Sequence, residues 1–447
     1  MTTEAARAVA STARTVRVGV LGCGNVGGAL VELIDTGAEA IAEATGIRLE
    51  VALVAVRSLA KPRAASLGAD RLTHDAHAVA TDPMVDLVVE LIGGIEPARS
   101  LILAALKAGK PVVTANKELL ANVGEELHAA AAAAGTELLF EAAVAGAIPL
   151  VRTLRVSLAG ERVRRVMGIV NGTTNYVLSR MSEEGIAYGE ALREAQSLGF
   201  AERDPTADVE GYDASAKAAI LASIAFNAEV VAGDVYREGI DAIDVADIEF
   251  AKRLGYEVKL LAVAERVEGS GADGSAGAIA VRVHPAMIPR EHPLAGVRGA
   301  FNAVFVEGEA SGELMLYGRG AGGRPTASAV LGDVLEAAQA LAGSAPPRPA
   351  LRNHVEIRPI DELRAQYYVT IDVLDQPGVL SAVAAVFGAH GVSIRSMEQV
   401  GLANEARLVF ITHIAREADV QATLAGLRDV PAVERIGGLL RVIGPER

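Results

Sequence analysis

The 447-residue sequence contains one cysteine, Cys23, so no disulfide can form within the chain. A single thiol also cannot build a zinc site of the usual cysteine-rich kind. A chain this long carries enough apolar material for a core without cross-links, which suits a reducing compartment. Tryptophan is absent and aromatics make up 4% of the residues, whereas 51% are hydrophobic. The core must then be mostly Ala, Val, Ile and Leu, which fits helices packed on a parallel sheet. Positive charge is in deficit: 42 Lys and Arg face 56 Asp and Glu, for a net charge of −14. That argues against nucleic acid and anionic membranes as partners. The apolar stretch "AAILASIAF" at 218–226 is too short to cross a bilayer. The first fourteen residues, "MTTEAARAVASTAR", have no apolar centre like that of a signal peptide. The expectation is a cytoplasmic protein with a floppy tail at 1–14.

What is present has a clear rhythm. Across 15–149, strand-like runs ("TVRVGVLG", "RLEVALVAV", "VDLVVELIG", "PVVTAN", "TELLFEAAV") alternate with helix-like runs, including one from Val26 to Ile34. Apolar strands separated by helices predict a doubly wound parallel sheet of Rossmann type. From 150 to 317 the pattern changes to helices mixed with alternating strands, which predicts an α+β domain. The segment 318–343 is a Gly-rich turn feeding an amphipathic helix, and a Pro-rich linker is expected over 344–366. Residues 367–447 read β-α-β-β-α-β, a small sheet with helices on one face. The fold class expected is therefore α/β, with an α+β second domain and a βαββαβ third.

"GCGNVG", Gly22 to Gly27, follows a strand and opens a helix, as the dinucleotide-binding fingerprint requires. Gly22 permits the tight turn, Gly24 lets backbone approach a pyrophosphate, and Gly27 lets helix pack on strand. Asn25 and Val26 lie at the helix start, where free amides attract anions. NAD-specific sites place an acid at the end of the second strand. Here "VAVRSLAKPR" offers Arg57, Lys61 and Arg63 instead. Arg57 suits a 2′-phosphate, so NADP(H) is expected over NAD(H). Gly93, Gly94 and "TANK" (Thr114 to Lys117) fall at carboxyl ends of parallel strands, where open α/β sheets bind ligands. The eight histidines show no H-E-x-x-H or comparable spacing, so no transition-metal role is expected.

In order along the chain, "GCGNVG", "TANK", "FEAAVAGAIP", "NGTTN", "GFAERDPTADVEGYDASAK" and "GAGGRPTASAV" resemble homoserine dehydrogenase over nearly the whole length. The 367–447 unit resembles an ACT domain, carried by "DQPGVLSAVAAVFGAHGVSIRSMEQ". The resemblance implies NAD(P)-dependent interconversion of L-homoserine and L-aspartate 4-semialdehyde. The biosynthetic direction leads to threonine, methionine and isoleucine. It implies that Lys217 is the proton donor, that Glu202 and Asp213 hold the substrate amino group, and that Lys117 lies near nicotinamide and substrate. It also implies a sodium site at Glu141, Val144, Gly146 and Ile148, built largely from backbone carbonyls, and a late cofactor contact at Gly322. Residues 150–317 would carry substrate binding and the contacts of a homo-oligomer. The ACT-like unit implies feedback inhibition by L-threonine, with the helix after "DQPG" (375–378) offering free amides to a carboxylate.

The chemistry of the residues agrees with this. Hydride addition to an aldehyde creates an alkoxide, and a lysine ammonium can both protonate and neutralise it. The zwitterionic substrate needs acids for its amino group, which Glu202, Asp208 and Asp213 supply. Its carboxylate needs donors, available from Lys117, "NGTTN" and backbone amides. Read alone, Asp213 and Lys217 are an i,i+4 pair of the exposed kind, worth about 0.3–0.5 kcal/mol. In context they face one pocket with separate jobs and need not touch. Two other readings remain open: an oxidoreductase for a different amino-acid semialdehyde, and a non-catalytic sensor of nucleotide and amino acid. The sensor has no use for Lys217.

Overall fold

The computed structural model describes residues 13–59, 67–267, 278–343, 356–402 and 405–443. The chain splits into two compact units. The first comprises Met1–Val163, Ala219–Gly233 and Leu316–His354; the second comprises Arg164–Ala218, Asp234–Met315 and Val355–Arg447.

In the first unit, six strands form one sheet in the order β3-β2-β1-β4-β5-β6. They are β1 (Arg14–Leu21), β2 (Ile47–Ala55), β3 (Leu72–Thr73), β4 (Leu87–Glu90), β5 (Val112–Thr114) and β6 (Leu138–Leu139). Every pairing is parallel, and the order is that of a Rossmann fold. Strand side chains such as Val18, Val20, Val54, Leu87 and Val89 are buried. Each such residue stabilises the fold by about 1.5–3 kcal/mol on burial. The helices Asn25–Thr45 and Gly323–Leu341 pack into the same core through Leu30, Val31, Ile34, Val330, Val334 and Ala338. The segment after Leu316 thus belongs to the same compact unit as the parallel sheet. The first helix runs to Thr45, well past Ile34, and stops at Gly46 in a left-handed conformation (φ 72°), a conformation glycine adopts without strain.

In the second unit, β7 (Val163–Ile169), β9 (Tyr256–Val267), β10 (Ala278–Pro289) and β11 (Phe301–Gly308) belong to a sheet ordered β12-β11-β7-β9-β10-β17-β13-β15-β14. The remaining strands of that path are β12 (Gly312–Arg319), β13 (Arg364–Leu374), β14 (Ile394–Leu402), β15 (Glu405–Thr412) and β17 (Val433–Val442). Strands β13, β14, β15, β16 (Ala415–Arg416) and β17 form the C-terminal βαββαβ unit expected to be ACT-like, with the helices Val379–Ala389 and Glu417–Arg428 between them. The ACT strands do not hang from a tether. β17 pairs with β10 in parallel, Ala286 opposite Arg441 and Met287 opposite Val442, so one sheet runs through both parts. Arg441, 3% exposed, pins the joint with bonds of 2.7–2.9 Å to Glu238 and Glu417. Of the expected linker, 344–355 lies outside the described residues. The rest is ordered: Ile357 bridges Ile279, and β13 already begins at Arg364.

The helical stretch expected near 174–198 is two helices, Gly172–Glu184 and Tyr188–Ser197, separated by the left-handed Gly185 (φ 69°). The apolar helix spans Tyr212–Phe226. Among the described residues no helix is long and apolar enough to cross a membrane.

Candidate active site

The nucleotide turn in the first unit has the shape the fingerprint predicts. Gly22 has φ 98°, and a Cβ there would lie 2.7 Å from the Leu91 carbonyl oxygen. A Cβ on Gly27 would collide with the Gly22 carbonyl, whereas one on Gly24 would project into open space. That space is where a pyrophosphate would lie against the backbone. The helix beginning at Asn25 has no acid in its first turn and no side-chain cap, and the same holds for the helix beginning at Gly323. The two starts are adjacent: a Cβ on Gly323 would lie 3.2 Å from the Asn25 carbonyl oxygen, and Gly322 (φ 130°) is the N-cap residue of the second helix. Uncapped amides and the positive ends of two helix dipoles thus converge, which favours an anion.

Along the sheet edge, Glu90 is fully buried at the end of β4. Its carboxylate accepts from the Ile92 and Gly93 amides (2.7 and 3.0 Å) and from the Thr114 hydroxyl (2.6 Å). Asn116 caps the helix Lys117–Ala134 through the Leu119 amide (3.1 Å) and donates to the Gly94 carbonyl (2.6 Å). These bonds lock the Gly93–Gly94 turn to "TANK", and Lys117 sits half-buried at the first position of the helix. Glu90 went unnoticed in the sequence. Its signal was an acid closing an apolar strand just before a Gly-Gly pair. Arg57 is exposed past the end of β2; Lys61 and Arg63 lie outside the described residues.

The turn Glu141–Ile148 lies in the same unit. Ala145 and Gly146 are both left-handed, φ 58° and 59°. Glu141 is 2% exposed, and its two carboxylate oxygens accept from the Val151 (2.7 Å) and Arg152 (2.9 Å) amides. Burial pushes the Glu141 carboxyl up against the lowering effect of those amides. The residues expected to hold a cation offer only oxygen ligands, backbone carbonyls and the Glu141 carboxylate, the kind of ligand a hard cation takes. Among the described residues no cluster of three or more His, Cys, Asp or Glu could hold a metal.

In the second unit, Asp213 and Lys217 share one face at the start of the helix Tyr212–Phe226. They are 8% and 9% exposed, so the solvated ion pair is not what forms. They also touch, contrary to the expectation that they need not: Lys217 Nζ donates to Asp213 Oδ2 at 2.6 Å and to the Val170 carbonyl at 2.7 Å. Asn171 completes the cluster. Its amide nitrogen donates to Asp213 Oδ2 (2.9 Å) and to Asp208 Oδ1 (2.7 Å). Its amide oxygen accepts from the Thr174 amide and hydroxyl (2.8 and 3.0 Å), which fixes which way the amide points. Asn171 caps the helix Gly172–Glu184 and also bridges two acids.

Glu202 is not part of this cluster. It is exposed, and its backbone carbonyl accepts from Gln196 (3.1 Å). The cluster's remaining member is distant in sequence: Asn302, on β11, donates to the same Val170 carbonyl at 3.0 Å. A buried ammonium, two carboxylates and a fixed amide can hold a cationic amino group and move a proton.

The comparisons agree with this geometry. The sequence matches the family described as homoserine dehydrogenase over residues 149–335. It matches the homoserine dehydrogenase NAD-binding domain over 22–141 and the ACT domain over 367–432. The homoserine dehydrogenase of Mycobacterium tuberculosis H37Rv is 48% identical over 438 residues, 96% of this chain and 98% of that one. That of Corynebacterium glutamicum is 48% identical over 428 residues, 96% of this chain and 95% of its own. The crystal structure of a homoserine dehydrogenase from Thiobacillus denitrificans superimposes with a TM-score of 0.89 at 39% identity, covering 96% of this chain and 98% of that chain. A hyperthermophilic archaeal homoserine dehydrogenase in complex with NADPH superimposes with a TM-score of 0.62 at 28% identity, covering 76% of this chain and 100% of that one. Rossmann sheet, buried lysine cluster and ACT domain, together with relatives matched nearly end to end, establish that the chain belongs to the homoserine dehydrogenase family, a family of oxidoreductases.

Proposed function

We propose that the enzyme reduces L-aspartate 4-semialdehyde to L-homoserine reversibly, in the cytoplasm, on the route to threonine, methionine and isoleucine, with Lys217 as proton donor. The observation that carries the assignment is the buried Lys217–Asp213–Asn171–Asp208 cluster. Bound nicotinamide supplies the hydride. Lys217 Nζ delivers a proton to the alkoxide oxygen that forms at C4, and Asp213 holds the ammonium in place for that transfer through a charge-assisted bond. Asp213 and Asp208 also set a negative field for the substrate amino group, with Glu202 contributing from the rim. Lys117 supplies positive charge for the substrate carboxylate. Gly22, Gly24, Asn25, Val26, Gly27, Gly93, Thr114, Lys117 and Gly322 hold the dinucleotide. NADP(H) is favoured over NAD(H) because Arg57 stands where an acid would select NAD; the archaeal relative in complex with NADPH supports this. The test is homoserine-dependent reduction of NADP and NAD by wild type and Lys217→Ala. Near-wild-type turnover in Lys217→Ala would show that another group moves the proton.

Three finer assignments accompany this reading. A sodium ion bound by the Val144, Gly146 and Ile148 carbonyls beside Glu141 orders the turn; a thermal midpoint identical in sodium and N-methylglucamine buffers would remove it. A homo-oligomer is expected from the resemblance and is read by sedimentation. L-Threonine acts at the ACT domain and inhibits. Deleting that domain is a poor test of this, because it would strip β10 of its β17 neighbour and leave Glu238 without Arg441. The better measurement is threonine titration of the intact enzyme, and inhibition absent at millimolar threonine would rule the effector out.

A further inference from the structure

The acceptor that holds Lys217 is a main-chain carbonyl, and something must hold the carbonyl. Val170 follows β7, outside any ladder, and its oxygen takes two donors: Lys217 Nζ at 2.7 Å and Asn302 Nδ2 at 3.0 Å. Asn302 is 1% exposed. Its placement is enforced from the turn before it. Asn175, on the helix that Asn171 caps, donates to the Gly299 carbonyl at 2.8 Å. The Ala300 carbonyl lies so near Gly172 that a Cβ there would stand 2.8 Å from it. Lys259 closes the clamp with bonds to Asn175 Oδ1 and the Val297 carbonyl. The "NGTTN" helix start and the 297–302 turn are therefore fastened together, with Asn302 reaching across to Val170.

One feature of Asn302 does not serve stability. Its Oδ1 is buried with no hydrogen-bond partner among the described residues. An unsatisfied buried acceptor is destabilising, and an apolar residue of the same shape would avoid it. The donor side of the amide makes the 3.0 Å bond to the Val170 carbonyl.

We propose that Asn302 is a positioning residue for Lys217: by tethering the Val170 carbonyl it fixes the acceptor that, with Asp213, sets the ammonium in its proton-delivering place. The proposal rests on Lys217 as proton donor. Asn302 acts through Val170 and does not itself touch the reacting atoms.

The isosteric variant Asn302→Leu separates positioning from folding. It removes the donor and the unsatisfied oxygen together, so the thermal midpoint stays within a few degrees of wild type. Turnover falls at least tenfold, KM for homoserine stays within threefold, and the solvent deuterium isotope effect on turnover rises as proton transfer becomes limiting. Asn302→Ser, which keeps a hydroxyl donor, recovers part of the loss. Turnover within twofold of wild type in Asn302→Leu overturns the proposal, as does a rise in KM alone or a loss of turnover that follows a fallen thermal midpoint with no change in isotope effect. If Asn302→Leu does not fold, Asn302→Ser carries the same readouts, and a wild-type isotope effect with reduced turnover there is equally fatal. Lys217→Ala run alongside distinguishes the failures. If Lys217→Ala is inactive and Asn302→Leu is normal, only the Asn302 role falls; if Lys217→Ala is active, the proton-donor reading falls with it.

Discussion

Two lysines are buried in the second unit, and they are held in opposite ways. Lys217, on a helix, is 9% exposed and bonds a carboxylate, Asp213, at 2.6 Å. Lys259, on β9, is 1% exposed and bonds two neutral oxygens, Asn175 Oδ1 and the Val297 carbonyl. Burial, reinforced by Arg298, pushes the Lys259 amine down to about 7, against the pull of Glu257 and Glu183. Strongly perturbed groups cluster at functional sites, and Lys259 is one such group. Geometry favours Lys217 for the proposed proton transfer. A sealed amine cannot exchange protons with a substrate, and two neutral acceptors need only the two N–H groups that an uncharged amine still has. A lysine that delivers a proton needs a counter-ion and an opening. Depth of burial marks the holding lysine; a carboxylate within reach marks the working one.

The largest effect expected is on the working lysine. Lys217→Ala removes the proposed proton donor, and turnover should fall by about 10²–10⁴-fold, the usual worth of general acid catalysis. Lys259→Met should cost far less activity, since methionine fills the same space. Equal losses in the two variants would erase the distinction. The next largest effect falls on a buried guanidinium. Arg441 bonds Glu238 and Glu417, the latter 1% exposed. Arg441→Met strands both carboxylates, and removing one partner of a buried pair costs about 3–5 kcal/mol. A urea midpoint near wild type would mean that the paired β10 and β17 strands, not the ions, hold the ACT domain in place.

How much of this was legible in the sequence depends on the distance between partners. The glycine fingerprint, the strand–helix alternation of a parallel sheet and the βαββαβ unit are local patterns, and they were readable. The spacing of Asp213 and Lys217 was readable too, but whether the pair was exposed, and whether it touched, was not. Both are decided by Val170 and Asn171, more than forty positions earlier. Asn302 lies 132 positions from Val170, and nothing in "FNAVFVEG" marks a side chain aimed at a particular carbonyl. The same limit hid Arg441, whose partner Glu238 is 203 positions away. Glu202 shows the reverse: a motif position that reads as part of the cluster stands exposed, outside it.

The sealed lysine makes a prediction in pH. Its folded-state value is lowered to about 7 from the ordinary 10.5. Between those values the unfolded chain binds a proton that the folded protein does not, so stability rises with pH across that window. The gain begins as pH passes about 7 and is complete above 10.5. Lys259→Met lacks this contribution. The difference between wild-type and variant urea midpoints should therefore shift in favour of wild type from pH 7 to pH 9.5. Parallel curves would place an ammonium at Lys259 in the folded state throughout.

The smallest effect is expected at Glu202, whose exposure sets it apart from Asp213. An exposed charge acts through solvent and is screened. Glu202→Gln should raise KM for homoserine by about two- to fivefold with little change in turnover. That ratio should shrink toward one as salt is raised from about 0.01 to 1 M, because the screening length falls from about 30 to 3 Å. Asp213→Asn weakens a bond made inside the cluster to Lys217, and its effect on turnover should be nearly independent of salt. If Glu202→Gln instead reduced turnover as strongly as Asp213→Asn, and did so equally at both salt concentrations, Glu202 would have to close onto the buried cluster when substrate binds. Exposure in the ligand-free protein would then be a poor guide to which acids do the holding.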